Sequence, residues 1–90
     1  MSDIEAQFNK AAEDVKNLAS TPDNEELLTL YGLFKQATAG DVTGDRPGLF
    51  DPKGKAKYDA WKKNEGMDQT DAKNEYVKVA NTLIAKYKLK

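Results

Sequence analysis

Ninety residues, 32% of them charged and 39% hydrophobic, suit one soluble globular domain that spans residues 1–90 and buries a modest core. The lack of cysteine excludes a disulfide framework and a thiolate metal site, and the lack of histidine removes the commonest neutral-pH base and metal ligand. A net charge of −1 argues against general nucleic-acid binding, no apolar run approaches the roughly 20 residues of a membrane span, and MSDIEAQ carries no signal peptide, so the expected setting is the cytosol, without stable membrane insertion.

Helix signals then follow one another along the chain. Ser2-Asp3-Ile4-Glu5 fits a capping box, the Ser2 hydroxyl accepting from the Glu5 amide while the Glu5 carboxylate reaches back. Phe8, Ala11, Ala12, Val15, Leu18 and Ala19 recur at spacings of three and four, an amphipathic helix that Ser20 to Asn24 breaks at Pro22. Asp23, with Glu26 at the third position, caps a second helix, and Gly40 is placed to end it in a left-handed conformation.

That second helix is unusually apolar. At roughly 100° per residue, Leu27, Leu28, Leu30, Tyr31, Leu33, Phe34 and Ala37 spread over an arc of roughly 220°, twice what a surface helix needs to face a core. Thr29, Gly32 and Gln36 share the remainder. Such a helix must be buried on two sides, or bury one and hold something apolar with the other.

The segment Asp41 to Phe50 has no periodicity and reads as a loop, longer than the 2–8 residues usual between packed helices. It is expected to pack across the bundle, with Leu49 and Phe50 as its anchors. Asp51-Pro52 opens a short, weakly amphipathic third helix through Ala56, Tyr58, Ala60 and Trp61 to about Asn64, ended by Gly66. Asp68 caps the last helix, where Ala72, Tyr76, Val79, Ala80, Leu83, Ile84 and Tyr87 repeat at helical spacing. Four helices, no convincing strand and no internal repeat result.

Catalytic and metal motifs fail one by one. Gly40 to Gly48 lacks the order of a phosphate loop, and Arg46 stands where a calcium loop needs glycine. Glu25-Glu26 sits at a helix start, where the macrodipole accounts for it. No catalytic and no metal-ligating residue is assigned, and no enzyme is expected.

Anion recognition is better supported. From Asp51 to Lys63 there are five lysines and two acids. Tyr31 and Lys35 are neighbours at i, i+4 on one helix, as are Lys53 and Lys57 on the next, so packing the two helices together would bring a phenol and several ammonium groups beside the surplus apolar surface. Lys35 could equally lay its stem over Leu28 with its charge in water. Gly32 reads either as a tolerated mid-helix glycine costing about 1 kcal/mol or as a gap that lets a ligand approach the backbone.

Leu30 to Asp41 (LYGLFKQATAGD), then Arg46-Pro47-Gly48, then Lys53 to Trp61 (KGKAKYDAW), resemble the acyl-CoA-binding protein family over essentially the whole chain. The resemblance implies an all-α fold, a four-helix up-down-down-up bundle with a long crossing loop between helices 2 and 3. It implies a monomer that binds medium- and long-chain fatty acyl-CoA esters, carries them as an intracellular pool for acyl-CoA-using enzymes, needs no cofactor and catalyses nothing.

By the same resemblance, Tyr31, Lys35 and Lys57 match the residues that hold the 3′-phosphate of coenzyme A, Lys16 a lysine near the adenine nucleotide, and Phe34 an aromatic packed on the adenine. Lys53 matches a residue lining the ligand and Tyr76 a tyrosine at the ribose and phosphate. Leu28, Gly32 and Leu33 are counted with these ligand-binding residues, and Asn24 and Leu27 with the acyl-chain groove. Phe8, Ala12, Val15, Leu18, Tyr76, Val77, Ala80 and Leu83 match a seam between helices one and four. Many members of the family have tyrosine at position 34 and tryptophan at position 58, so Phe34 keeps a stacking face and lacks a hydroxyl. The alternative expectation is a helical interaction module that docks a partner's helix on the apolar face of helix 2.

Overall fold

Four aspartates start the four helices. Asp3 accepts from the Ala6 amide at 3.1 Å, Asp23 from Glu26 at 2.8 Å, Asp51 from Gly54 at 3.0 Å, and Asp68 from Thr70 at 2.9 Å. Each carboxylate satisfies an amide that the first turn leaves unpaired and complements the positive end of the helix dipole. The computed structural model describes residues 3–90: α1 Ile4–Asp14, a 3-10 turn at Val15–Asn17, α2 Asn24–Ala39, α3 Pro52–Lys62 and α4 Gln69–Tyr87.

Two boundaries differ from those expected. Ser2 lies outside the described residues, and the cap of α1 is Asp3; Glu5 instead pairs with Lys73 of α4. The α-helical stripe stops at Asp14 rather than running to Ala19, because Leu18 turns extended and forms an isolated bridge with Leu89. Ala19 donates to the Lys88 carbonyl at 2.7 Å and Lys90 to that of Asn17 at 2.9 Å, so backbone groups freed by ending the helix are satisfied across the fold. The ends of α2 and α3 fall close to expectation. Gly40 takes φ 84° and ψ −151°, a region open almost only to glycine, and Gly66 takes φ 88° after the turn that follows α3.

The helix directions follow from cross-contacts. Glu5 meets Lys73 and Phe8 meets Tyr76, so α1 and α4 run parallel. Glu26 meets Lys86 while Gln36 meets Met67, so α2 and α4 are antiparallel. Tyr31 meets Lys57 and Lys35 meets Trp61, so α2 and α3 are parallel. The result is the up-down-down-up bundle, in a flat body of about 38 × 32 × 14 Å. A parallel pair of consecutive helices needs a connection that travels the length of the bundle, and this is what makes the loop between them long.

Leu49 and Phe50 do not anchor that loop: they are 82% and 101% exposed. Polar staples hold it instead. Arg46 grips Asp59 with two hydrogen bonds of 2.9 and 2.8 Å, Tyr58 donates to the Gly44 carbonyl at 3.1 Å, and Trp61 donates its indole N–H to the Gly40 carbonyl at 2.7 Å. The bidentate grip holds the Asp59 carboxyl below its ordinary range.

Gln36 overturns its placement on the polar remainder of α2, being only 1% exposed. Its amide donates to Asp41 at 2.9 Å and to the Met67 carbonyl at 2.7 Å, tying the start of the long loop to the turn before α4. Gly32 is buried too. A Cβ there would stand 2.3 Å from the Ala60 carbonyl oxygen, so the glycine serves the close approach of α2 and α3. Helix α2 is therefore enclosed on sides the pattern assigned to solvent.

Candidate binding groove beside the second helix

The backbones of α1 and α2 do not pack together, nor do those of α3 and α4; each pair is bridged by a third helix. An opening lies in each gap. At about 100° per residue, the α2 residues that line the two openings fall on opposite sides of the helix.

The first opening, of about 620 Å³, lies between α1 and α2 over α4. Leu27, Leu30, Tyr31 and Phe34 form one wall, Ala12, Val15 and Lys16 the other, and Tyr76 contributes from α4. Aromatic rings make its floor: Phe8 stacks on Phe34 at 5.7 Å between centroids and meets Tyr76 edge-on at 5.1 Å. Phe34 keeps 39% of its surface exposed above this floor. Burial pushes the Tyr76 phenol up.

Cations stand at the rim. The Lys57 ammonium lies 5.3 Å from the centre of the Tyr31 ring, and that of Lys35 lies 4.8 Å from the Trp61 ring. Neither has a carboxylate within 4.0 Å among the described residues, whereas Lys10, Lys73, Lys86 and Arg46 all do. A cation resting on an exposed ring gains about 0.5–1 kcal/mol, and a hydrogen bond to a charged group about 1.5–3 kcal/mol. A hydrogen bond to an anion would therefore be worth more to either lysine than its ring contact. Lys16 also lines the groove, 3.6 Å from Glu13.

The second opening, of about 530 Å³, lies between α3 and α4 over α2. Its apolar lining comes from Leu28, Leu33, Ala56, Ala60, Met67 and Val79, with Glu25, Asp59, Glu75 and Lys63 among the polar residues around it. No aromatic ring lines it.

Of the residues singled out in the sequence, Lys16, Leu27, Tyr31, Phe34 and Tyr76 line the first opening, and Lys57 joins them through Tyr31. Lys35 sits one turn beyond Tyr31 on the seam with α3. Leu28 and Leu33 face the second opening, and Leu33 belongs to the core. Asn24 and Lys53 are exposed at the starts of α2 and α3 and line neither opening. The contact of Trp61 with Lys35 does not follow from its place on the weakly amphipathic third helix. The available signal is that Trp61 stands one turn after Lys57, on a helix parallel to α2.

Residues 5–80 match the family model described as Acyl CoA binding protein. The chain belongs to the acyl-CoA-binding protein family. It is 54% identical over 80 residues to an acyl-CoA-binding protein homolog 1 of Caenorhabditis elegans, a stretch covering 89% of this chain and 93% of that one. Two crystal structures of acyl-CoA-binding proteins share its bundle. One is acyl-CoA-binding protein 2 of Oryza sativa, with a TM-score of 0.88 at 42% identity over 92% of this chain and 90% of that one. The other is from Moniliophthora perniciosa, with a TM-score of 0.85 at 44% identity over 97% and 84% respectively.

Proposed function

We propose that this protein binds medium- and long-chain fatty acyl-CoA esters with high affinity and carries them as an intracellular pool in lipid metabolism, residues 1–90 acting as one acyl-CoA-binding domain. The observation that carries the reading is the Lys57–Tyr31 pair, a cation without an acid partner on the wall of an aromatic-floored groove.

The ligand is an amphiphile, and each half has a counterpart. Tyr31, Lys35 and Lys57 take the 3′-phosphate of the nucleotide, Lys16 supports it from the first-helix side, and Phe34 offers its exposed surface to the adenine with Tyr76 beneath. Leu27, at the first opening, flanks the path of the acyl chain, whose burial contributes about 0.8 kcal/mol per CH₂, while Leu28 is turned to the second opening. Lys53 and Asn24 line the approach at the helix starts. The protein acts as a carrier and not an enzyme, a reading that membership of a family of binding proteins supports. It works as a cytosolic monomer without cofactor, handing its ligand to acyl-CoA-using enzymes.

Because binding needs both halves, calorimetry should find a long-chain acyl-CoA bound far more tightly than free coenzyme A, and free fatty acid hardly at all. Comparable affinity for fatty acid alone would sink the nucleotide pocket. Lys35→Ala should weaken binding about tenfold and Lys62→Ala less than twofold; equal losses would reduce the lysines to diffuse charge.

A further inference from the structure

We propose that the tip of the α2–α3 loop docks this protein reversibly on anionic lipid surfaces, with Leu49 and Phe50 as an apolar wedge and the lysines that follow them as its electrostatic partner. The wedge is the first observation. Leu49 and Phe50 are the most exposed of the large apolar side chains among the described residues, and they are adjacent. No part of the fold depends on them. The loop is pinned through Arg46, Tyr58 and Trp61, and the tip itself closes with the Asp51 amide donating to the Gly48 carbonyl at 3.1 Å. Two large hydrophobic side chains are therefore presented on a fixed turn, at a cost to solubility that no internal contact offsets.

The charge beside them is the second observation. In the first turns of α3, which follow the tip directly, Lys53, Lys55 and Lys57 lack a carboxylate within 4.0 Å among the described residues; Lys62 and Lys63 lack one too but stand at the far end of the helix. The acids near them are committed elsewhere: Asp51 accepts from the Gly54 amide and Asp59 from Arg46. Asp41 accepts from Gln36 and Gly66, which leaves Asp45 as the loop's one carboxylate without a hydrogen-bond partner. The positive charge after Phe50 is thus largely unneutralised, whereas Lys10, Lys16, Lys73, Lys78 and Lys86 elsewhere each face an acid.

Wedge and cations together fit a bilayer with anionic headgroups. Two side chains on a convex turn offer too little area for a stable protein interface, while hydrocarbon accepts them whatever their shape. Lysines near an anionic leaflet add attraction that salt weakens. The contact is weak by construction, since even one lipid chain anchors a protein only marginally. A carrier of amphiphiles gains from that weakness, because it must leave the surface again.

The test uses the full chain with vesicles of phosphatidylcholine, alone or mixed with phosphatidylserine, and measures the bound fraction by flotation. Binding should require phosphatidylserine and fall with added salt. Leu49→Ser with Phe50→Ser should lower it about tenfold, and Lys55→Glu by a smaller factor of about three. The double variant should melt at the parent's temperature and keep its acyl-CoA affinity in vesicle-free buffer, so that failure of the docking surface is distinguishable from failure of the ligand groove. Equal flotation of parent and double variant overturns the proposal, as does equal binding to neutral vesicles. A concentration-dependent dimer that the double variant abolishes, without vesicle binding by the parent, would assign the tip to self-association and likewise overturn it.

Discussion

The two flanks of α2 hold openings of similar volume, about 620 and 530 Å³, yet they differ in nearly everything a ligand would feel. The α1 side has Tyr31, Phe34 and Tyr76 within it and Lys57 against its wall. The α3 side has no ring, and Glu25, Asp59 and Glu75 oppose Lys63. Aromatic rings and the Lys57 ammonium gather at the first flank, whereas acids outnumber the one lysine around the second. Volume therefore selects nothing here. Residue chemistry does, and one helix supplies both walls because its apolar arc is too wide for a single face.

The sharpest way to break this comparison is to reverse charge on each flank in turn. Lys57→Glu should cost about 2–3 kcal/mol of acyl-CoA binding, roughly a hundredfold in Kd, while Glu75→Lys should change it less than twofold. Calorimetry with one long-chain ester decides between them. If Glu75→Lys tightened binding as much as Lys57→Glu weakened it, the flanks would differ in name only.

A smaller effect is expected from the wall that separates them. Gly32→Ala gains about 1 kcal/mol in helix propensity but places a methyl 2.3 Å from a backbone oxygen of α3, which cannot rotate away. Overpacking wins, and the variant should lose about 1–2 kcal/mol of stability in urea unfolding. A stabilised variant would mean that α3 slides freely on α2.

The smallest effect concerns the foot of the wall shared by both flanks. Tyr87 and Lys86 donate to Glu26, which also accepts from the Asp23 amide, and its carboxyl is lowered to about 2. A depressed folded value makes its stabilisation complete above the ordinary carboxylate range, near 4.5, and lost as pH falls toward 2. The parent's melting temperature should therefore drop more than that of Glu26→Gln across that window. Asp41 and Asp59 are lowered as well and give both proteins a shared decline, so the difference between them is the readout. Parallel curves would show that the contact adds nothing.

Much of this was legible in the letters. Aspartate caps, helical spacing and Gly40 placed the elements, and the width of the α2 arc foretold a helix occupied on two sides. What escaped were features that depend on where a neighbour stands. Gln36 looks solvated until the turn at Met67 and the side chain of Asp41 claim its amide. Leu49 and Phe50 look like anchors because apolar loop residues usually are, yet a bidentate arginine had already fixed the loop. Gly32 is explained by a carbonyl twenty-eight positions away in the chain, which no local pattern reports. The same arc that allowed a docked partner helix is filled from within at Leu30, Leu33 and Ala37, three of its seven positions, while Leu27, Leu28, Tyr31 and Phe34 line the two openings.

The seam joining α1 to α4 has one more implication. Glu5 finds Lys73 across 68 residues of chain, and Phe8 finds Tyr76 in the same layer. On a ribosome, the rings beneath the groove cannot assemble until nearly every helix has emerged, and contacts so distant in sequence set the pace of folding more than its depth. A nascent chain still lacking α4 has the lysines but no floor, so competence to hold an amphiphile arrives late in synthesis and all at once.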